Sequence, residues 1–369
     1  MRDFFDNFYD WWKNIDKFIF LTILFLFVLG LFFSLVSTSL IASDKLDTNS
    51  YYFFFKHFVF IVLAISTLSI ISFLNQNLLV RFSIFFFLIS LLTLILVPFI
   101  GIEVKGSKRW IEFAFFPRFQ PIEILKPFLI IFLSSILSLE KKNLYLKYFL
   151  SIIIIIPISL LLISQPDLGQ TLLIISIWLV LIFVSGINLY FFFSIFLSLS
   201  LIFSYLIFYV AKFEYIKIRL ISFLDSSSGN NYQAEKASDA IVSGGFFGKG
   251  IGEGTLNSRV PEAHTDYIIS VISEEFGVII VLSIIIIYLI FYYKILQKIN
   301  FIQINKFKLI LIGCSTMVLL QMFVHVGVNI RLLPTTGMTL PFLSYGGSSI
   351  ISTAIISGLI LNFTKRKLK

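Results

Sequence analysis

The stretch FIFLTILFLFVLGLFFSLVST, Phe18–Thr38, has no ionisable side chain from end to end. A helix of about 20 mostly apolar residues matches the hydrocarbon thickness of a bilayer. The stretch therefore reads as a membrane span, and the rest of the chain repeats it. Comparable runs occupy Phe53–Leu74, Val80–Ile100, Ile122–Leu139, Tyr148–Ser164, Leu168–Gly186, Tyr190–Ala211, Tyr267–Leu289, Leu309–Asn329 and Leu340–Phe363. That makes about ten transmembrane helices of the expected length, the fourth to sixth short or interrupted by polar residues. With 58% hydrophobic and only 13% charged residues, a set of soluble domains is excluded. The alternating strands of a membrane barrel are absent. Met1–Lys17 carries Asp3, Asp6, Asp10 and Asp16 among aromatic residues, which fits an interfacial segment and not a removable signal peptide. The expected fold class is an all-α integral membrane protein, with residues 18–363 as one polytopic domain between segment 1–17 and a basic tail, 364–369.

Short connections rich in Lys and Arg stay cytoplasmic. With ten spans, Arg2, Lys13 and Lys17, then Arg81, then Lys141, Lys142 and Lys147, then Lys294, Lys298, Lys306 and Lys308, and the tail Lys365, Arg366, Lys367 and Lys369 all fall on one side. Both termini are thus expected in the cytoplasm. Two outer loops depart from the rule. Gly101–Pro121 holds Lys105, Lys108, Arg109 and Arg118; the large loop 212–266, between the seventh and eighth spans, holds Lys212, Lys217, Arg219, Lys236, Lys249 and Arg259. The net charge of +9 is therefore partly a feature of the outer face. There the anionic partners are phospholipids and polyprenyl-linked phosphates, with no nucleic acid expected. The lone Cys314 lies within a span, allows no intrachain disulfide and reads as packing.

Four polar constellations collect in the outer half. Gly106-Ser107-Lys108-Arg109-Trp110 is followed by Phe119–Lys126, where Pro121 can begin a helix and Glu123 and Lys126 share one helical face. A self-neutralising structural pair and a functional one are equally open there; an intramembrane charge is costly and by default marks function. In Gln165-Pro166-Asp167-Leu168-Gly169-Gln170, Asp167 reads as an N-cap with Gln170 completing a capping-box-like arrangement. The segment Gly244–Gly254 is glycine-rich without a Walker pattern, and reads as a flexible lid or re-entrant loop.

The third outer cluster is Pro261-Glu262-Ala263-His264-Thr265-Asp266 at the entrance of the eighth span, with Ser270, Ser273, Glu274 and Glu275 beyond it. Thr265 and Asp266 can serve as helix caps, yet helical spacing also puts Asp266, Ser270 and Ser273 on one face. A carboxylate facing a cavity of low polarity has a raised proton affinity, which suits a general base. His264 is a second candidate base or a support for the turn, whereas His57 and His325 read as core residues. Last comes Asn329–Ser349, whose Gly346-Gly347-Ser348-Ser349 can let helices approach closely and whose Arg331 can face an anion.

In these motifs and in their order the chain resembles the SEDS family (shape, elongation, division and sporulation). The likeness covers nearly the whole chain, including Tyr232-Gln233 and Glu274-Glu275-Phe276-Gly277, and Pro261–Asp266 and Thr339-Leu340-Pro341 look more like division members than elongation members. Lys236-Ala237 and Ser226 depart from the family pattern within the outer loop. The resemblance implies a SEDS-type bundle in the bacterial inner membrane. It implies a peptidoglycan glycosyltransferase that polymerises lipid II at the outer face, working with a class B penicillin-binding protein and other divisome proteins. On that footing Asp266 is expected as the base or as ligand to a divalent cation, Mg or Mn, with no organic cofactor. Lys108, Arg109, Lys126, Arg219 and Arg331 are expected to hold pyrophosphates, with Glu123 positioning Lys126 and His264 supporting the substrate-binding turn. An elongation-type polymerase, a lipid II transporter and a non-enzymatic division scaffold are the alternatives. A transporter should carry ionisable residues along a continuous path, and here they collect in the outer half.

Overall fold

The computed structural model describes residues 9–38, 51–104, 106–113, 116–139, 144–224, 232–256, 260 and 262–365. Arg2, Asp3, Asp6, Lys105, Lys141, Lys142, Asp225, Ser226, Arg259, Pro261, Arg366, Lys367 and Lys369 lie outside the described residues. The chain runs through α1 (Lys17–Thr38), α2 (Tyr52–Phe73), α3 (Gln76–Ile100), α4 (Pro121–Leu137), α5 (Leu144–Ser164), α6 (Leu168–Val184) and α7 (Leu189–Tyr209). Three shorter helices follow, α8 (Glu214–Leu224), α9 (Tyr232–Gly244) and α10 (Ile268–Phe276), and then α11 (Val278–Ile299), α12 (Asn305–Asn329) and α13 (Gly347–Phe363). Seven of these, α1, α2, α3, α5, α7, α11 and α12, are long and apolar enough to cross a membrane, while α6 and α13 are shorter apolar helices.

Polar contacts tie the helix ends into two groups. At one end Asp16 and Lys298 pair at 2.6 Å, and the Trp11 indole donates to Ser72 at 3.0 Å. The Asn362 amide donates there to the carbonyls of Ile71 and Leu74 at 2.8 and 2.7 Å. This termini end thus gathers the start of α1, the α2–α3 turn and the last turns of α11 and α13. The sequence motifs lie at the opposite, motif end. Between them α12 and α13 form the centre, burying Leu311, Cys314, Met317, Ala354 and Leu361, whereas α7 has no buried residue and lies at the periphery. Outward-facing Phe85, Leu92 and Leu282 are exposed, as expected of surface solvated by lipid.

Three expectations change. The apolar run Tyr267–Leu289 is not one helix: Gly277, at φ 84°, breaks it into α10 and α11, and the long helix is Val278–Ile299. The last span begins at Gly347 and not at Leu340, because residues 340–346 form a turn that re-enters the bundle. The connection Gly101–Pro121 is a three-stranded antiparallel sheet, β1 (Ile102–Val104), β2 (Ser107–Phe113) and β3 (Phe116–Phe119). Val104 pairs with Ser107 across a tight hairpin in which Gly106 takes the φ of 77° that such turns require. Side chains alternate along β2, so Lys108 is exposed while its neighbour Arg109 turns toward the bundle.

Candidate active site at the motif end

The first two turns of α4 carry a buried pair of charges. Lys126 Nζ donates to Glu123 Oε1 at 2.8 Å, with 0% and 4% of their side chains exposed. Glu123 also accepts from the Gln170 amide at 2.7 Å, and its carbonyl accepts from Ser352 Oγ at 2.6 Å. Gln170 therefore reaches across to α4 instead of back to its own cap. Asp167 does cap α6, accepting from the Gln170 N–H. Its other partners lie far off in sequence: Gln120 donates to it at 2.9 Å and the Arg109 guanidinium stands 3.8 Å away. Arg109 is held besides by the carbonyls of Gln165 and Pro166. Burial pushes the Asp167 carboxyl above the usual range, against the opposing pull of Arg109. Asp167, which its spacing marks only as a cap, thus joins β2, α4 and α6.

Asp266 lies in a turn and not on a helix face. The N–H groups of Thr265, Asp266 and Tyr267 all point at the Glu262 carbonyl, at 3.0, 3.1 and 3.3 Å. Helix α10 begins only afterwards, so Asp266 does not align with Ser270 and Ser273. Its position comes from α12. Asn329 Nδ2 donates to the Asp266 carbonyl at 3.1 Å, and Asn329 Oδ1 accepts from the Ser270 N–H at 3.2 Å. One and two turns earlier, His325 Nδ1 donates to the Met338 carbonyl at 2.8 Å and Gln321 Nε2 to the Thr339 carbonyl at 3.0 Å. A single stripe of α12 therefore fixes both the Asp266 turn and the re-entrant segment. Ser344 Oγ completes the join by donating to the Thr265 carbonyl at 2.6 Å. Gly337 faces Asp266: a Cβ there would lie 3.5 Å from Oδ2. His264 packs its ring on Phe53 and Tyr345, at 5.3 and 5.8 Å between centroids.

Beside this turn Arg219 and Arg331 line a cavity of about 190 Å³, walled by Phe223, Leu333, Pro334 and Thr335. The segment that lines the cavity with Arg331–Thr335 meets Asp266 two residues later, at Gly337. Burial lowers the proton affinity of Arg219, and the charge of Arg109 adds to the effect. Tyr215, under Arg219 at 5.8 Å, is pushed up to about 12 by burial. Burial, and then the Asp266 charge, raises the Tyr267 hydroxyl. Glu262, Arg331 and Phe342 hold left-handed φ values of 55°, 58° and 69°. Such conformations cost about 1–3 kcal/mol each and cluster where surroundings impose a working geometry.

The glycine-rich segment is strapped down, neither a lid nor a phosphate cradle. The N–H groups of Lys249 and Gly250 donate to the carbonyls of Glu274 and Glu275 at 2.9 and 3.1 Å. The Leu256 N–H donates to the fully buried Glu274 carboxylate at 2.9 Å, and that of Gly252 to the Glu275 carboxylate. The glycines are needed for contact: a Cβ at Gly244, Gly248 or Gly277 would fall within 2.0–2.2 Å of backbone oxygens.

Of the residues expected at the site, Glu123 and Lys126 form one enclosed pair and Arg219 and Arg331 line the cavity. Arg109 is engaged with Gln165–Asp167, and Lys108 stays exposed on the sheet. Among the described residues no three His, Cys, Asp or Glu converge as metal ligands, and Glu262 accepts from Thr265 at 3.0 Å. The side chains beside Asp266 thus do not fit a resident cation held by protein ligands alone.

The chain resembles proteins of one kind along nearly its whole length. It is 30% identical over 368 residues to the probable peptidoglycan glycosyltransferase FtsW of Caulobacter vibrioides, covering 97% of this chain and 91% of the relative. It is 32% identical to the Coxiella burnetii protein of the same name, with 94% and 95% covered. A chain from a peptidoglycan synthase complex that coordinates polymerization and crosslinking superimposes with a TM-score of 0.78 at 25% identity, covering 95% of this chain and 97% of that one. Thermus thermophilus RodA, a rod shape determining protein, shares the fold at a TM-score of 0.69 and 24% identity, with 95% and 96% covered. The family model for FtsW, RodA and SpoVE, described as cell cycle protein, matches residues 16–369, and the chain belongs to that family.

Proposed function

We propose that this chain polymerises lipid II into glycan strands for the division septum, as a peptidoglycan glycosyltransferase at the outer face of the bacterial inner membrane. A class B penicillin-binding protein beside it crosslinks the strands, within the wider set of division proteins. The carrying observation is the placement of Asp266, gripped through its backbone by Glu262 and Asn329, one segment away from a cavity lined by two arginines. In the reaction the acceptor sugar's 4-hydroxyl attacks the donor's anomeric carbon, the C–O bond to undecaprenyl pyrophosphate breaks, and the hydroxyl proton passes to the Asp266 carboxylate. The departing pyrophosphate takes the bond's electron pair and needs charge neutralisation, which is the role of Arg219 and Arg331 in this reading, supported by their lining one cavity. Lys126 is enclosed and bound to Glu123, so it is not free to reach the pyrophosphate and the pair acts as a structural joint between helices. The buried carboxylates Glu123, Asp167, Glu274 and Glu275 gather at the motif end, which supports an enzyme over a transporter.

Reconstitution of the purified chain with lipid II and the transpeptidase, scored for glycan polymer on gels, tests this. Asp266→Asn is expected to lower the rate by about 10²–10⁴-fold, the usual share of a general base, with an unchanged thermal midpoint. Polymer formed at the wild-type rate would overturn the assignment.

A further inference from the structure

The glycine-rich segment directs Lys249 toward the bundle, while its large apolar side chains face outward with Glu253. Lys249 Nζ points to Glu274 at 3.5 Å, whereas Phe246, Phe247 and Ile251 are 73%, 84% and 64% exposed. A loop in water does the reverse. The depth of these side chains follows from backbone bonds. The Val278 and Ile279 N–H groups, which an α-helix leaves without intrahelical partners at its start, donate to the carbonyls of Gly245 and Phe246 at 3.0 and 3.4 Å. The two phenylalanines are therefore fixed at the level of the first turn of α11.

That level can be measured from the opposite end. Asp16 and Lys298 pair at 2.6 Å and set a common origin for α1 and α11. From Lys298 to Val278 is about 30 Å at 1.5 Å per residue, and from Asp16 to Phe33 about 25 Å. Phe276 packs on Phe32 and Phe33 at 5.7 and 5.5 Å, so the two helices together put the α10–α11 break about 25–30 Å from the Asp16–Lys298 pair. The hydrocarbon layer is about 30 Å thick. The outward surface there continues into Ile279 and Leu282 of α11, which are 44% and 52% exposed.

We propose that Phe246, Phe247 and Ile251 form a membrane anchor, inserted into the acyl region of the bilayer at the motif end. The anchor holds α9, α10 and the Asp266 turn between them at a set height over the lipid surface. The inference rests on the helix geometry and is independent of the polymerase assignment.

Cys314 is fully buried, so spin labels go to an introduced cysteine. Phe246→Cys, Phe247→Cys and Ile251→Cys are to be labelled with nitroxide in the full chain in phosphatidylglycerol–phosphatidylethanolamine vesicles. Collision rates with oxygen and with a water-soluble nickel chelate are then compared with those of labels at Leu282 and Glu253. An oxygen-to-nickel ratio several-fold above that at Glu253 and near that at Leu282 is expected at all three positions. Quenching of bimane at the same cysteines by lipids brominated along the acyl chain must agree. A ratio equal to that at Glu253 overturns the anchor. So does shielding from nickel that appears only after the transpeptidase is added, since the face would then be a protein-docking surface.

Discussion

The two ends of the bundle use the same side-chain chemistry for different purposes. At the termini end, neutral amides close the turns and the Asp16–Lys298 pair is partly open, with 13% and 28% of those side chains exposed. At the motif end, Glu123 and Lys126 are shut inside the bundle, Asp167 and Glu274 are buried, and three non-glycine residues beyond proline take left-handed backbone. Removing two ions from water costs several kcal/mol each, repaid only by good geometry and further hydrogen bonds. The motif end meets that condition with bonds from Gln170, Gln120 and Leu256. Stability alone does not select such an arrangement, because an apolar substitute is commonly as stable.

The contrast can be broken by single substitutions. Lys126→Met leaves Glu123 charged and buried with Gln170 alone, and should cost about 3–5 kcal/mol, read as a fall in the thermal midpoint in detergent. Glu123→Gln with Lys126→Met removes both charges and should recover most of that loss. If the double variant is no more stable than Lys126→Met, the pair is not the coupled unit that its 2.8 Å bond implies. At the other end, Asn362→Ala strips the carbonyls of Ile71 and Leu74 of their donor. Loss of about 1–3 kcal/mol is expected from leaving part-buried acceptors unpaired, with glycan polymerisation per folded molecule unchanged. A polymerisation defect in that variant would mean that the two ends are coupled.

Much of the bundle was legible from apolar runs, because lipid demands length and composition before anything else. The break at Gly277 was not, since Ile268–Ile272 and Val278–Val281 are equally apolar and a window cannot see between them. The available signal was local: adjacent carboxylates Glu274-Glu275, with only Phe276 between them and Gly277, inside a supposed span. In Ser107–Phe113 the strand-favouring Trp110, Ile111 and Phe113 are a weaker signal, because polar and apolar residues do not alternate along the whole segment. Asp167 was legible as a cap because that bond is three residues long, whereas its contact with Arg109 depends on how β2 folds back. The role of Gln321, His325 and Asn329 needed the re-entrant segment in place, for their partners are backbone carbonyls that carry no sequence signature.

The smallest expected effect sharpens the comparison from the open side. Burial lifts the Asp16 carboxyl, but the hydrogen bond from Lys298, a backbone bond from Ile19 and the Lys298 charge outweigh it and leave its pKa below the usual value. A carboxylate with a depressed folded pKa stabilises the protein above its unfolded pKa, about 3.9, and that contribution is lost as pH falls through the lower folded value. Asp16→Asn should therefore cost about 0.2–1 kcal/mol at neutral pH, the range of exposed pairs, and less in 1 M salt. The gap in thermal midpoint between this variant and the parent should begin to close near pH 4 and vanish at lower pH. A gap as large as that of Lys126→Met, or one that persists in acid, would show that the termini end also depends on a buried charge.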